Sequence, residues 1–341
     1  MKNTLILLFA FLLLGGAAFW FVNKEDTTMT TLNIDDRKFA VENTDDVGKI
    51  FIANRQGKTN TFVRKGDDEW ELNGKYKARP YAIKTLLSTI GRLELSYIPA
   101  KAAIPHIVEI LGSHGIKVEI YDREGNNMKT YYVGGLDKDE EGTFMIMEGS
   151  EQPYVMKLPA FNGGVRVRYS QKEIDLRDRY IFDYDLEDIS YVSVEYPKQK
   201  NKSFILEKKD GEYEVTPFNE ITPTINRPVK QGFVESYLVG FNRFEAENII
   251  NNYKHRDSIS QMMPFAIMTV KSKTGESQIG RFHPLRKIGD DGLPVSDEEV
   301  LMNTAVERYH IDHSNGDDYV VQQRNFGRAF WSYESFFEEK K

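Results

Sequence analysis

The residues of this chain that come nearest to a chemical site are Asp137-Lys-Asp139-Glu-Glu141-Gly142, followed by Glu148 at the twelfth position. Dense oxygen donors suit a hard cation, and glycine at the sixth position permits the sharp turn of a calcium loop. Glu141 departs from the usual Asp or Asn at the fifth position, and the flanks Tyr131-Tyr132-Val133 and Phe144-Met145-Ile146 read as strands where the motif needs helices. The span from Asp137 to Glu148 is therefore read as a solvated acidic hairpin connection. His310-Ile-Asp312-His313 is the one histidine cluster. On a strand, His310 and Asp312 share a face while His313 points to the other. Two ligands on opposite faces cannot meet at one zinc ion, and His310 is read as a surface histidine on the outer face. His106, His114, His255 and His283 stand singly.

Nucleophilic catalysis fares no better. A serine nucleophile needs a positioned base and an oxyanion hole, and no G-x-S-x-G elbow is present. Asp175-Leu-Arg-Asp-Arg179 reads as a solvated connector bearing local ion pairs. Tyr76, Tyr81, Tyr97 and Tyr184 form a sugar-stacking platform only if exposed, and core or half-buried packing is the commoner fate of such rings. No G-x-G-x-x-G or P-loop pattern supports nucleotide binding. The sequence assigns no catalytic, cofactor-binding or metal residue.

The elements around these residues are more informative. Across 341 residues, 40% are hydrophobic, 28% charged and 12% aromatic, which builds packed cores and excludes a wholly disordered chain. The net charge of −7 gives no basic surface for a nucleic-acid backbone. Cysteine is absent, which removes disulfides, thiolate metal sites and cysteine nucleophiles.

Leu5 to Val22 is an unbroken apolar run, LILLFAFLLLGGAAFWFV. As a helix it spans about 27 Å, enough for a hydrocarbon core. Gly16 and Ala18 could serve signal-peptide cleavage, but the run continues through Phe19-Trp20-Phe21-Val22, which suits an interfacial aromatic belt. Residues 1–22 are read as an uncleaved signal anchor in the inner membrane, with the bulk of the chain in the periplasm. Residues 23–46 read as a polar tether, and the body is expected to start near Val47.

The body carries an internal repeat of roughly 145 residues. Ile50 and Ile52 correspond to Val192 and Val194, Phe62-Val63 to Phe204-Ile205, and Glu69-Trp70-Glu71-Leu72 to Glu212-Tyr213-Glu214-Val215. Arg79-Pro80 matches Arg227-Pro228. Ile83, Leu86, Leu87, Ile90 and Leu93 then match Val234, Tyr237, Leu238, Phe241 and Phe244. That spacing is one apolar face of a helix, which predicts helices over Pro80–Leu95 and Pro228–Glu245. Farther on, Lys117 aligns with Met268, Tyr131-Tyr132 with Arg281-Phe282, Phe144 and Ile146 with Tyr309 and Ile311, and Tyr154-Val155 with Tyr319-Val320. Alternating strands clustered at both ends of a helix predict an α+β fold. The expected architecture is two tandem repeats of an antiparallel sheet with one or two packed helices, preceded by a single N-terminal transmembrane helix. The domains are 47–170 and 188–333, joined by a connector over 171–187 and followed by a charged tail over 334–341.

Several strings resemble the domain-of-unknown-function 4340 family of bacterial membrane-anchored proteins. They are Asn73-Gly-Lys-Tyr-Lys-Ala-Arg-Pro80, Gly115-Ile-Lys-Val-Glu-Ile-Tyr121, Tyr131-Tyr-Val-Gly-Gly135, Gly142-Thr-Phe-Met145, Pro153-Tyr-Val-Met156 and Pro159-Ala-Phe-Asn-Gly163. The resemblance implies an extracytoplasmic body, in some relatives encoded beside ABC-type transporters of the gliding-motility kind. It carries over no catalytic residue. The expected function is a non-enzymatic, membrane-anchored binding or scaffolding module of a cell-envelope complex. The lipid bilayer, met through Leu5 to Val22, and a membrane protein complex such as an ABC-type transporter are its partners, and nucleic acid is not. An envelope glycan or polymer binder is the alternative. A hydrolase with an unrecognised site is the second, which a deep carboxylate-lined pocket or a buried histidine pair would favour.

Overall fold

A computed structural model describes residues 37–286 and 306–339. The apolar run Leu5–Val22 lies outside the described residues. No helix among them is long and apolar enough to cross a membrane.

The chain divides between Gln171 and Lys172 into two compact units, each α+β and each built on a large antiparallel sheet. The first contains β1 (Val47–Ala53), β2 (Thr59–Arg64), β3 (Trp70–Leu72), β4 (Tyr76–Lys77), β5 (Glu94–Tyr97), β6 (Ile116–Asp122), β7 (Asn127–Leu136), β8 (Thr143–Met147) and β9 (Tyr154–Lys157). Their order is β4-β3-β2-β1-β6-β7-β8-β9-β5. Helix α1 (Pro80–Gly91) precedes β5, and α2 (Ile104–His114) separates β5 from β6. Proline opens α1 at a position where its missing N–H is not needed.

In the second unit, β10 (Tyr180–Phe182) pairs with β14 (Phe244–Glu245). The large sheet contains β11 (Ile189–Glu195), β12 (Phe204–Lys209), β13 (Glu212–Pro217), β15 (Asn248–Ile249), β16 (Ala266–Ser272), β17 (Ser277–Arg286), β18 (Val306–His313) and β19 (Asp318–Gln322). Its order is β13-β12-β11-β16-β17-β18-β19-β15, which repeats the first sheet strand for strand without β4. Helices α3 (Phe233–Leu238) and α4 (Arg256–Ser260) hold the chain positions of α1 and α2.

The agreement extends to an irregularity. Between β1 and β6 the register shifts between Val47 and Lys49, and between β11 and β16 it shifts between Ile189 and Tyr191. A bulge is a specific local device, and here it falls at the same place in both sheets. Trp70 and Tyr213 occupy matching positions opposite Arg64 and Lys208. The Tyr213 hydroxyl donates to the Ile189 carbonyl at 2.7 Å.

Register corrects much of the sequence alignment. Ile50 faces Phe62 and Val192 faces Leu206, so Leu206, not Phe204, is the counterpart of Phe62. Val118 corresponds to Met268, Val133 to Phe282, Met145 to Ile311 and Phe144 to His310. These last pairings are shifted by one residue from the sequence alignment. A one-residue slip exchanges the two faces of a strand.

Both expected helices are shorter than predicted. The first ends at Gly91 and the chain re-enters the sheet at Glu94. The second starts only at Phe233, after left-handed Gly232; upstream, Val229 forms an isolated bridge to Phe337. The buried stripe survives. Val234, Tyr237, Leu238, Phe241 and Phe244 are all buried, the last two from a 3-10 turn and a strand. Leu87 is only half-buried, and Leu86 is the deep leucine of α1.

Three boundaries also move. Phe39 and Val41, expected in the tether, are buried, with Phe39 set edge-on to Tyr131 and Tyr154. The expected connector contributes Leu176, Ile181 and Phe182 to the interior. Phe336 and Phe337, expected in a charged tail, are buried as well.

Candidate functional site

The hairpin between β7 and β8 uses Asp137 structurally. Asp137 Oδ1 accepts the backbone N–H groups of Glu141 at 3.1 Å and Gly142 at 3.0 Å, while Tyr97 donates to Oδ2 at 3.3 Å. Glu148 instead pairs with Lys117 at 3.0 Å. The Asp137 bonds are those of a hairpin turn, as read from the sequence, but Asp137 itself is buried and not solvated. Of the four tyrosines considered as a stacking platform, Tyr184 is buried, Tyr76 half-buried, and Tyr81 and Tyr97 exposed.

The histidine reading needs correction. His313 and His310 do point to opposite faces of β18, with His313 against Phe182 and Tyr319. His310 lies on the outer face as expected, yet it is 0% exposed. The face was right and the exposure wrong. Residues 250–262, including α4, supply Asn251, Tyr253 and Arg256 to this region, which strand alternation alone cannot reveal.

Under that segment lies a polar cluster. His310 Nε2 is 2.6 Å from Asp318 Oδ1, and Asp318 is 1% exposed. The second Asp318 oxygen forms an ion pair with Arg256 of α4. Across the β17–β18 ladder His310 faces His283, with ring centroids 6.1 Å apart. His283 is 2% exposed, and neither of its ring nitrogens has a hydrogen-bond partner among the described residues. Burial first, and neighbouring His310 second, push the His283 imidazole down to about 4. Burial also lowers His313.

The cluster continues through the β18–β19 turn. The Asp318 N–H donates to Asn251 Oδ1 at 2.8 Å, and Asn251 Nδ2 donates to Asp317 Oδ1 at 2.8 Å. Arg177 pairs with the other Asp317 oxygen, and both residues are buried. Arg177 is therefore no member of a solvated connector with local ion pairs, since its partner lies 140 residues away. This ties the segment after β15 to the turn and to the chain before β10.

The counterpart positions in the first unit are apolar. His310 corresponds to Phe144, His283 to Gly134 and Asp318 to Pro153. There α2 seats Ile107 and Leu111 beside Ile146, Tyr132 and Phe144. A side chain on Gly134 would collide with Leu111. One sheet thus carries a hydrophobic helix seat and the other a buried ionic one at the same topological position.

No group of three or more metal-ligating side chains assembles among the described residues. Nor is a serine or threonine hydroxyl hydrogen-bonded to His283 or His310 among them. A shallow groove of about 500 Å³ runs beside Arg308, Gln322, Gln323 and Arg324, where Glu247 already binds Arg308 at 2.9 Å.

Sequence reasoning did not bring together His283, Asp318, Arg256 and Asn251, which come from three separate stretches of the chain. The alignment held a signal. Set one residue over, it places His310 opposite an apolar Phe144. Residues 70–259 match the family model described as Domain of unknown function (DUF4340), a span that includes Asn251 and Arg256 but not His283, His310 or Asp318. No curated protein matches the chain.

Proposed function

The chain belongs to the domain-of-unknown-function 4340 family, and from that premise we propose that it is a duplicated, non-enzymatic binding module of a cell-envelope complex. Leu5 to Val22 anchors it in the inner membrane, and the two units stand in the periplasm. Its partner is a membrane protein complex, with an ABC-type transporter as the specific candidate. The observation that carries the reading is the repeated order of eight strands with a bulge at the same place. Duplication of a sheet unit multiplies binding surface, and each unit needs only its own core to present one. The apolar run of the sequence supports the anchor, and the family resemblance supports the transporter.

The test is purification from membranes in mild detergent at native expression, with partners identified by mass spectrometry. Recovery of a multi-pass protein in constant proportion supports the proposal. Repeated recovery of the chain alone contradicts it.

One observation favours a hydrolase as a second reading: the buried His283–His310 pair with its carboxylate. An imidazole oriented by an aspartate is half of a nucleophile-activating arrangement. Labelling by a fluorophosphonate probe that is lost in His310→Ala would support this reading over the first.

A further inference from the structure

We propose that residues 250–263, with α4 at their centre, are a clasp on the outer face of the second sheet that acid releases. Helix α4 has only five residues, and Met262 and Met263 beyond it are 64% and 62% exposed. In the first unit the corresponding 11-residue α2 is seated by Ile107 and Leu111. In the second the polar and ring contacts are the Ile250 N–H donating to the Asp318 carbonyl at 2.7 Å, the Arg256–Asp318 ion pair with a further Arg256 bond to the Gly316 carbonyl, the Asn251 hydrogen bonds to the 317–318 backbone and side chain, and Tyr253 edge-on to His310.

Among the described residues, the charged and titratable groups of this cluster are few. His310 and Asp312 on β18 and Arg281 on its own strand act on His283 directly, while Asp318 on β19 and Tyr253 on the clasp meet His310, Arg256 meets Asp318, and His255 meets Tyr253. Asp312 is engaged by Arg281 at 3.6 Å. Asp318 already serves both Arg256 and His310. A proton on His283 therefore adds a cation to a buried cluster whose described carboxylates, Asp312 and Asp318, are both engaged. Burying an unpaired charge is costly, and opening the segment restores water to it.

The sign follows from the two states. A solvated histidine titrates near about 6.5, while burial and His310 hold the closed His283 down to about 4. The closed form is thus favoured above the higher value and loses that preference as pH falls towards the lower.

Hydrogen exchange of the full-length protein tests this, comparing peptides over 250–263 with peptides over β16 and correcting for intrinsic exchange rates. Between pH 7 and pH 4 the opening of 250–263 should rise on the order of 100-fold, with β16 still protected. His283→Gln should flatten that rise, and Asp318→Asn should raise exchange of 250–263 already at pH 7. The proposal is overturned if the segment ignores pH, if His283→Gln keeps the full pH response, or if 250–263 and β16 open together. If His283→Gln fails to fold, NMR titration of the wild-type His283 ring decides. Titration in step with clasp opening supports the proposal, and titration near about 6.5 with the clasp closed overturns it.

Discussion

His310 Nε2 lies 2.6 Å from Asp318 Oδ1, and neither side chain reaches solvent. The corresponding positions of the first sheet hold Phe144 and Pro153, which can make no such bond. Similar sheets have thus solved the same packing problem twice, once with hydrocarbon and once with charge. The ionic solution requires every partner to be present, because a buried charge that loses its counterion costs more than the pair contributes.

Arg177 and Asp317 should show this directly. Either Arg177→Leu or Asp317→Leu alone should cost about 3–5 kcal/mol, and the double substitution less than the sum. Urea unfolding of the two single variants and the double variant measures it. Additive losses would mean that the pair does not interact.

The apolar stripes predict a different pattern. Leu86→Ala and Leu238→Ala should each cost about 2–5 kcal/mol, since both side chains are buried in their own unit. Leu87→Ala should cost less than Leu86→Ala because Leu87 is half-exposed. Chemical denaturation ranks the three, and an equal loss at Leu87 would contradict the burial described.

The bulge in the first sheet admits no side chain. A Cβ on Gly48 would stand 2.5 Å from the Asp122 carbonyl oxygen and 2.6 Å from Arg123 Cα, both backbone atoms. Gly48→Ala should therefore destabilise the first unit by about 1–3 kcal/mol. At the matching place in the second sheet Ser190 is accommodated, and its hydroxyl donates to the Ser272 carbonyl at 2.9 Å. Ser190→Ala should be milder, and thermal melts of the two variants make the comparison.

Buried phenols set an alkaline limit. The hydroxyls of Tyr131 and Tyr169 are 3.1 Å apart, and burial raises both phenols above their ordinary value. The folded unit keeps these protons while unfolded tyrosines release theirs above about pH 10, so stability falls as pH rises past that point. Phenolate absorbance should therefore grow in step with loss of circular dichroism for these residues. Tyr131→Phe should remove part of the dependence.

How much of this was legible in the sequence differs by level. Alternation and turn residues placed most strands, because Val, Ile and aromatic residues facing a core repeat every second position. The stripe Val234 to Phe244 was found, but its helix was overextended, since burial periodicity does not report where Gly232 or a 3-10 turn interrupts hydrogen bonding. The buried cluster was not legible for two reasons. Asn251 and Arg256 come from an intervening segment, and no local pattern says that this segment folds over β18. The second reason is the alignment itself. Its one-residue slip set Tyr309, rather than His310, against Phe144 and so hid the exchange of an aromatic ring for a histidine.

One α+β unit is used twice in this chain, and an experimentally determined structure of the full chain tests that most directly. Superposed on their eight common strands, the units should bring the Val47–Lys49 bulge onto Ile189–Tyr191, Trp70 onto Tyr213, and Phe144 onto His310. Different strand orders, or bulges at unrelated positions, would contradict the duplication and remove the support for the proposed binding module.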